Sequence, residues 1–80
     1  MYGYIKGIIK DIDSSYVIID NHDIGYQIYV PNPYYYKLNE IYTIYTYNQV
    51  REDEFSLYGF KNKEELDLFL KLISVKGLGP

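Results

Sequence analysis

The sequence predicts a mainly β fold: a five-stranded Greek-key barrel of the oligonucleotide-binding (OB) type, followed by a C-terminal α-helix that leads into a helix-hairpin-helix. Three observations carry this prediction. Residues 1–61 hold five short stretches rich in isoleucine, tyrosine and threonine, separated by turn-forming residues. A short helical turn is expected between the third and fourth stretches. After residue 61 the apolar period changes from two to about 3.6. A β-sandwich usually needs about seven strands, whereas five are predicted here.

The first three strands are predicted at residues 2–12, 16–20 and 24–30. Gly7 lies inside the first strand, where an interior glycine usually marks a bulge or a sharp bend. His22 lies in the turn that joins the second and third strands into a hairpin. In the third strand, apolar and other residues alternate, so one set should face the core: Ile24, Tyr26, Ile28 and Val30.

The fourth and fifth strands are predicted at residues 41–49 and 55–60, with a charged interruption at residues 50–54. Before them, Asn32 precedes Pro33. Because proline is favoured at the first helical position, we expect one short helical turn over residues 33–38, with Asn32 as its N-cap.

A helix is predicted from Asn62 to Gly77, because Asn62 and Glu65 have capping-box spacing. Leu66, Phe69, Leu70 and Ile73 recur at helical spacing and should face the barrel. The helix has a second apolar stripe, which should pack against something that this chain lacks: Leu68, Leu72 and Val75. The expected domains are the barrel at residues 1–61 and the helix with the start of a helix-hairpin-helix at residues 62–80.

Length and composition limit the class of protein. A chain of 80 residues buries only about 60% of its unfolded surface, so self-association or further chain would stabilise it. It has no apolar run near the roughly 18 residues that span a bilayer and no signal-peptide pattern, so we expect a cytoplasmic protein without membrane contact. The absence of cysteine excludes disulfides, thiolate catalysis and sulfur-ligated metals.

The net charge of −3 argues against a domain that binds nucleic acid mainly by neutralising phosphates. The 12 tyrosines suggest base stacking. However, tyrosine also fits the pleated surface of a strand well, so we expect most of them to fill the core or the outer surface.

The acidic cluster at residues 51–54 lies between two strong strand predictions and therefore at a hairpin tip. It is a solvated turn, a metal site, an acid/base pair or a charged probe aimed at a partner. A metal site is disfavoured because neighbouring strand residues point to opposite faces. An acid/base pair is disfavoured because a hairpin tip offers no pocket that separates two pKa values.

Two other polar groups suggest sites that the sequence does not support. Asp11, Asp13 and Ser15 have the spacing of a calcium loop, but Tyr16 stands where that loop needs glycine. His22 is the sole histidine, so neither a nucleophilic triad nor a histidine-rich metal site can be assembled. We expect no catalytic residue, no metal and no cofactor.

The C-terminal residues 76–80 read KGLGP directly after the predicted helix. A glycine pair followed by proline is typical of the hairpin in a helix-hairpin-helix, where the backbone approaches a phosphate closely. The alternative is a glycine C-cap followed by proline. On either interpretation a second helix is expected to follow, so we expect a fragment of a longer protein.

Taken together, these residues resemble the N-terminal domain of the RuvA family of bacterial Holliday junction proteins. The most specific likeness is VRED at residues 50–53 followed by LYGF at residues 57–60. Departures are confined to residues such as Asn48, Gln49 and the tyrosines at 34–36. Further matching positions are Gly3, Gly7, Gly25-Tyr26 and the GLGP at residues 77–80.

The resemblance implies a non-catalytic subunit that binds four-way junction DNA as a homotetramer, in recombination and DNA repair. Partners implied by it are the RuvB ATPase, recruited through a further C-terminal domain, and the RuvC resolvase. Glu52 and Asp53 match the family's acidic pin at the crossover. Gly77 and Gly79 match its first phosphate-binding hairpin, and Lys76 is an adjacent candidate for phosphate contact.

Two hypotheses from other classes remain. One is a single-stranded nucleic-acid-binding barrel that stacks bases on Tyr45, Tyr47 and Tyr58, against which the net charge argues. The other is a hydrolase that uses the carboxylates of Glu52 and Asp53, against which the missing pocket argues.

Overall fold

The computed structural model describes residues 3–51 and 54–75, with the side chains of residues 50, 51, 54, 55, 74 and 75 left undescribed. Within that part, five strands close into a barrel in the order β1-β2-β3-β5-β4. All neighbours are antiparallel except β3 and β5, which are parallel. This topology confirms the predicted mainly β, OB-type barrel. The elements are β1 Tyr4–Ile12, β2 Tyr16–Asn21, β3 Ile24–Tyr29, a 3-10 turn Pro33–Tyr35, β4 Ile41–Arg51, β5 Glu54–Phe60 and α1 Lys63–Val75.

The barrel interior is filled by branched aliphatic side chains on alternate positions of the strands. This alternation follows from the period of two, which sends successive side chains to opposite faces of a sheet. The largest side chains that are fully buried are Ile9, Val17, Ile19, Ile28 and Ile44.

The bend in β1 differs from its prediction. The register with β2 shifts between Ile9 and Asp11, which places the irregularity at Lys10 and not at Gly7. Gly7 is instead a point of close approach, because a Cβ there would lie 2.1 Å from the carbonyl oxygen of Asp20. Glycine marks both situations in a strand, and the sequence does not separate them.

The predicted inward set of β3 is correct at one end only. Ile28 and Val30 are buried, and Tyr26 packs against the core from a half-buried position. Ile24 is 55% exposed. Its partner Asn21 lies beyond Asp20, the last β2 residue that pairs with β1, so Ile24 projects past the rim of the barrel.

The predicted helical turn is a shorter 3-10 turn, and Asn32 makes no side-chain cap. The main-chain carbonyl of Asn32 instead accepts a hydrogen bond from the Tyr35 N–H at 3.1 Å. Tyr36, which follows the turn, belongs to the buried core.

Helix α1 begins as predicted, because the side-chain Oδ1 of Asn62 accepts a hydrogen bond from the Glu65 N–H at 2.9 Å. The helix packs on β4 and β5, where the ring of Phe69 lies 5.1 Å from that of Phe60. Leu68 and Leu72 of the second stripe are exposed. A domain boundary at residue 61 stays a prediction. Within the described ranges, no helix is long and apolar enough to span a bilayer.

Candidate nucleic-acid interface

Strands β4 and β5 continue beyond the barrel as a two-stranded ribbon. β4 pairs with β1 only over Ile41–Tyr45, and the described pairing of β5 with β3 is at Tyr58. Among the described strand pairings, residues 48–51 and 54–57 therefore pair only with each other, in unbroken antiparallel register. We call these residues, with the two between them, the ribbon. At about 3.3 Å per residue, its paired part is roughly 13 Å long.

The ribbon corrects the predicted strand ends. Charge at residues 50–54 was expected to interrupt the strands, but β4 runs to Arg51 and β5 begins at Glu54. Because Arg51 pairs with Glu54, the link between the strands consists of Glu52 and Asp53. These two residues lie outside the described part of the chain, so the geometry of their carboxylates is not described.

The root of the ribbon is fixed to the barrel. Leu57 is buried in the core, and its register partner Asn48 points its side chain to the same inner face. The Oδ1 atom of Asn48 is buried without a hydrogen-bond partner. An unsatisfied buried acceptor is costly, so the Asn48 amide lowers the stability of the folded barrel.

The predicted phosphate-binding residues Lys76, Gly77 and Gly79 also lie outside the described residues. They follow directly on helix α1, which ends at Val75. Their role therefore stays a prediction.

Most described tyrosines lie on the outer surface of the barrel and contact one another. Strand register aligns Tyr16 with Tyr29, Tyr29 with Tyr58, and Tyr58 with Tyr47. The ring centroids of Tyr16 and Tyr29 are 5.9 Å apart, and those of Tyr29 and Tyr58 are 5.7 Å apart. Tyr47 packs against Phe69 of helix α1 at 5.5 Å. These half-buried rings have aromatic partners within the protein, as the surface-filling prediction requires.

Tyr4 differs from these half-buried tyrosines in its exposure, and it was not among the residues predicted from the sequence to stack on bases. Its side chain is 62% exposed and its ring lies 6.2 Å from that of Tyr45 on the neighbouring strand. A groove of about 510 Å³ borders this pair and continues to Lys63 and helix α1. The signal in the sequence was the alternation of β1, which turns Tyr4 and Lys6 to the outside.

Two carboxylates outside the ribbon, those of Asp13 and Asp20, stabilise turns. The Asp20 carboxylate accepts a hydrogen bond from the Asp23 N–H at 3.0 Å, and both His22 and Asp23 have positive φ, as expected at a tight hairpin. Hydrogen bonds from the Ser14 N–H and then the Tyr16 hydroxyl lower the pKa of Asp13. Over residues 3–51 and 54–75, no three acidic or histidine side chains converge as a metal site would need.

Comparison with known proteins identifies a family and relatives of this chain. A family model described as the RuvA N terminal domain matches residues 1–59. A protein of Acholeplasma laidlawii is 54% identical over the whole chain, one of Bacillus velezensis 48% and one of Lactobacillus gasseri 49%. Each of these relatives carries the name Holliday junction branch migration complex subunit RuvA. The chain spans 40 to 43% of their lengths. On the family match and these identities, the chain belongs to the RuvA N-terminal domain family.

Proposed function

We propose that this chain is the barrel domain of a subunit that binds four-way junction DNA in a branch migration complex, acting in recombination and repair without chemistry of its own. The observation that carries the proposal is the ribbon, which extends beyond the closed barrel and is linked at its tip by Glu52 and Asp53. Adjacent carboxylates on a protruding ribbon suit a charged probe, because they repel phosphates without binding them. The names of the relatives support junction DNA as the target.

The tip acts in this proposal as one of four around a common axis. A single charge pair about 8 Å apart in water is worth only ~0.5 kcal/mol, so one carboxylate cannot steer DNA. A homotetramer brings together the carboxylates of four tips. They face duplex DNA that carries one charge per about 1.7 Å of axis. Their combined repulsion keeps duplex out of the centre and helps to separate strands.

The remaining functions lie with neighbouring residues and partners. Lys76, Gly77 and Gly79 hold a DNA phosphate through a hairpin after helix α1, where backbone N–H groups suit an anion. The RuvB ATPase supplies the energy for migration, and the RuvC resolvase acts on the same junction. The complex works in the cytoplasm, where the chromosome of a bacterium lies.

The test is the double variant Glu52→Gln with Asp53→Asn in the full-length protein. Its affinity for a four-way junction and for linear duplex of equal length should be measured at one salt concentration. We expect junction affinity to be kept or raised and the junction-to-duplex ratio to fall several-fold, since repulsion no longer penalises duplex across the centre. The rate of branch migration driven by the RuvB ATPase should also change.

The matched control is Glu64→Gln with Asp67→Asn, which removes two exposed carboxylates from helix α1 and leaves the tip intact. This variant should keep the ratio of the unaltered protein. If both variants behave alike in the ratio and in migration, the tip is an ordinary solvated turn. Strand cleavage by the unaltered protein that disappears in the tip variant would instead identify a hydrolase.

A further inference from the structure

The outer face of strands β1 and β4 combines an exposed aromatic ring with basic charge. Register places Tyr4 opposite Tyr45 and Lys6 opposite Thr43, and all four point outward. We call these four residues the β1–β4 face. The Tyr4 ring is tilted by 54° to that of Tyr45 and remains largely open to solvent.

Two grooves meet at Tyr4, and the charged residues that line them are basic. The groove toward helix α1, of about 510 Å³, is lined by Lys63, and the other, of about 170 Å³, by Lys6. Among the described residues no carboxylate lines either groove, although the chain has 11 acidic residues and 8 basic ones. A flat apolar surface between two ammonium groups complements a ligand with planar rings and negative charge.

We propose that the β1–β4 face binds an unpaired stretch of nucleic acid, with a base stacked on Tyr4 and phosphates near Lys6 and Lys63. Proteins that hold single strands combine stacking rings with basic groups in this way. The other aromatic rings suit the task less well. Tyr29, Tyr58 and Tyr47 are half-buried against neighbouring rings, whereas Tyr4 stays 62% exposed beside Tyr45. The hydroxyl of Tyr16 is paired with the Asp13 carboxylate.

The proposal rests on the proposed function for its source of unpaired strand. Tyr45 lies six residues before Arg51 on β4, which is roughly 20 Å along the strand at about 3.3 Å per residue. A strand parted at the tip therefore reaches the β1–β4 face within a few nucleotides. The face would hold the separated strand on the protein that parts it.

The test measures binding of a fluorescein-labelled oligothymidylate by the full-length protein and by two variants. We expect Tyr4→Ala to weaken binding about 5- to 150-fold, the range that loss of one stacking ring produces. We expect Lys63→Gln to reduce the dependence of log affinity on log salt by about 0.7. The controls are Tyr34→Ala, which removes a more exposed tyrosine elsewhere, and Lys71→Gln on the exposed side of helix α1. Both should bind as the unaltered protein does.

A second measurement separates this proposal from the proposed function. A junction with fully paired arms should bind Tyr4→Ala with unchanged affinity, whereas the tip variant should change junction discrimination. Failure of the unaltered protein to bind oligothymidylate would overturn the inference but would not contradict the proposed binding of four-way junctions. Equal affinities for Tyr4→Ala and Tyr34→Ala would overturn it too. So would a Tyr4→Ala protein with altered sedimentation and unaltered affinity, because the face would then be a contact between protein copies.

Discussion

Gly59→Ala should destabilise the barrel strongly, because Gly59 faces its interior from β5. A Cβ at this position would lie 2.4 Å from Cγ2 of Ile44 and 2.6 Å from Cγ2 of Ile28, well inside ordinary van der Waals contact. Both isoleucines are fully buried, so neither has free space to move into. Overpacking of this kind costs about 1–3 kcal/mol. With two close contacts, we expect the free energy of unfolding to fall by about 2–3 kcal/mol.

The assay is thermal unfolding followed by circular dichroism. For a domain of this size each kcal/mol shifts Tm by roughly 4–8 °C, so the expected decrease is about 10–20 °C. Gly3→Ala is the matched control, because nothing lies within 4 Å of a Cβ at that position. Gly25→Ala should fall between the two, since its Cβ would meet Cγ2 of Ile18 at 3.2 Å.

A double-mutant cycle tests whether the clash is the cause. Ile44→Ala removes the nearest methyl group, so its combination with Gly59→Ala should cost at least about 1 kcal/mol less than the sum of the single changes. Additive costs would refute the steric explanation. Equal stability of the Gly59→Ala and Gly3→Ala proteins would refute the packing of the interior itself.

Two further predictions concern the core and the ribbon. Burial, and then the neighbouring Tyr35, raise the pKa of Tyr36 to about 12. The neutral phenol is thus favoured in the folded state. The free energy of unfolding should therefore keep its full value below pH 10, where Tyr36 is protonated in both states, and fall as the pH rises toward 12. In urea titrations Tyr36→Phe should lack much of this decline, and a Tyr36→Phe protein with the full decline would contradict it. Asn48→Leu removes the unsatisfied Oδ1 and should raise the free energy of unfolding by about 1 kcal/mol in the same assay. Asn48→Asp should lower it, and a loss of stability in Asn48→Leu would show that the amide has a partner.

The sequence predicted those parts of the fold that depend on local pattern. Alternating aliphatic residues defined the five strands, and the spacing from Asn62 to Glu65 defined the start of helix α1. Each of these signals acts within a few residues, through side-chain period or a single hydrogen bond. The match of pattern and structure at Ile28 and Val30 has the same origin.

Features that depend on which strand lies beside which were not predictable in this way. Ile24 follows the alternation of β3 yet is exposed. The pairing of β1 with β2 stops at Asp20, whereas the β2–β3 hairpin continues to the pair of Asn21 and Ile24. The length of the ribbon depends equally on where β1 and β3 stop pairing with β4 and β5. Charged residues at 50–54 suggested a broken strand, but β4 runs to Arg51 and β5 begins at Glu54, because backbone pairing in a hairpin does not require apolar side chains.

The candidate site also combines residues that a local motif predicts with residues whose importance depends on neighbouring strands. The motif at residues 50–53 predicted a charged tip without any knowledge of register, and this prediction falls on Glu52 and Asp53, which lie outside the described residues. Tyr4 became a candidate only from its position beside Tyr45 and Lys63. The stacking hypothesis drawn from sequence chose Tyr45, Tyr47 and Tyr58 because they lie in strong strands. Strong strands are also where rings pack against neighbours, so Tyr45, Tyr47 and Tyr58 are half-buried, whereas Tyr4 at the beginning of β1 is 62% exposed.

The ribbon also explains how an acidic tip and a basic face can work in one small chain. The distance along β4 from Tyr45 to Arg51 is roughly 20 Å. At physiological salt the Debye length is about 8 Å, so charges this far apart in solvent are largely screened from each other. In the proposed function, the carboxylates of the tip would therefore repel DNA at the crossover with little effect on the attraction of Lys6 and Lys63 for a separated strand. On a barrel without the ribbon, the tip carboxylates would lie closer to the ammonium groups of Lys6 and Lys63, and their electrostatic effects on DNA would partly cancel. The net charge of the domain would then determine whether it attracts or repels DNA.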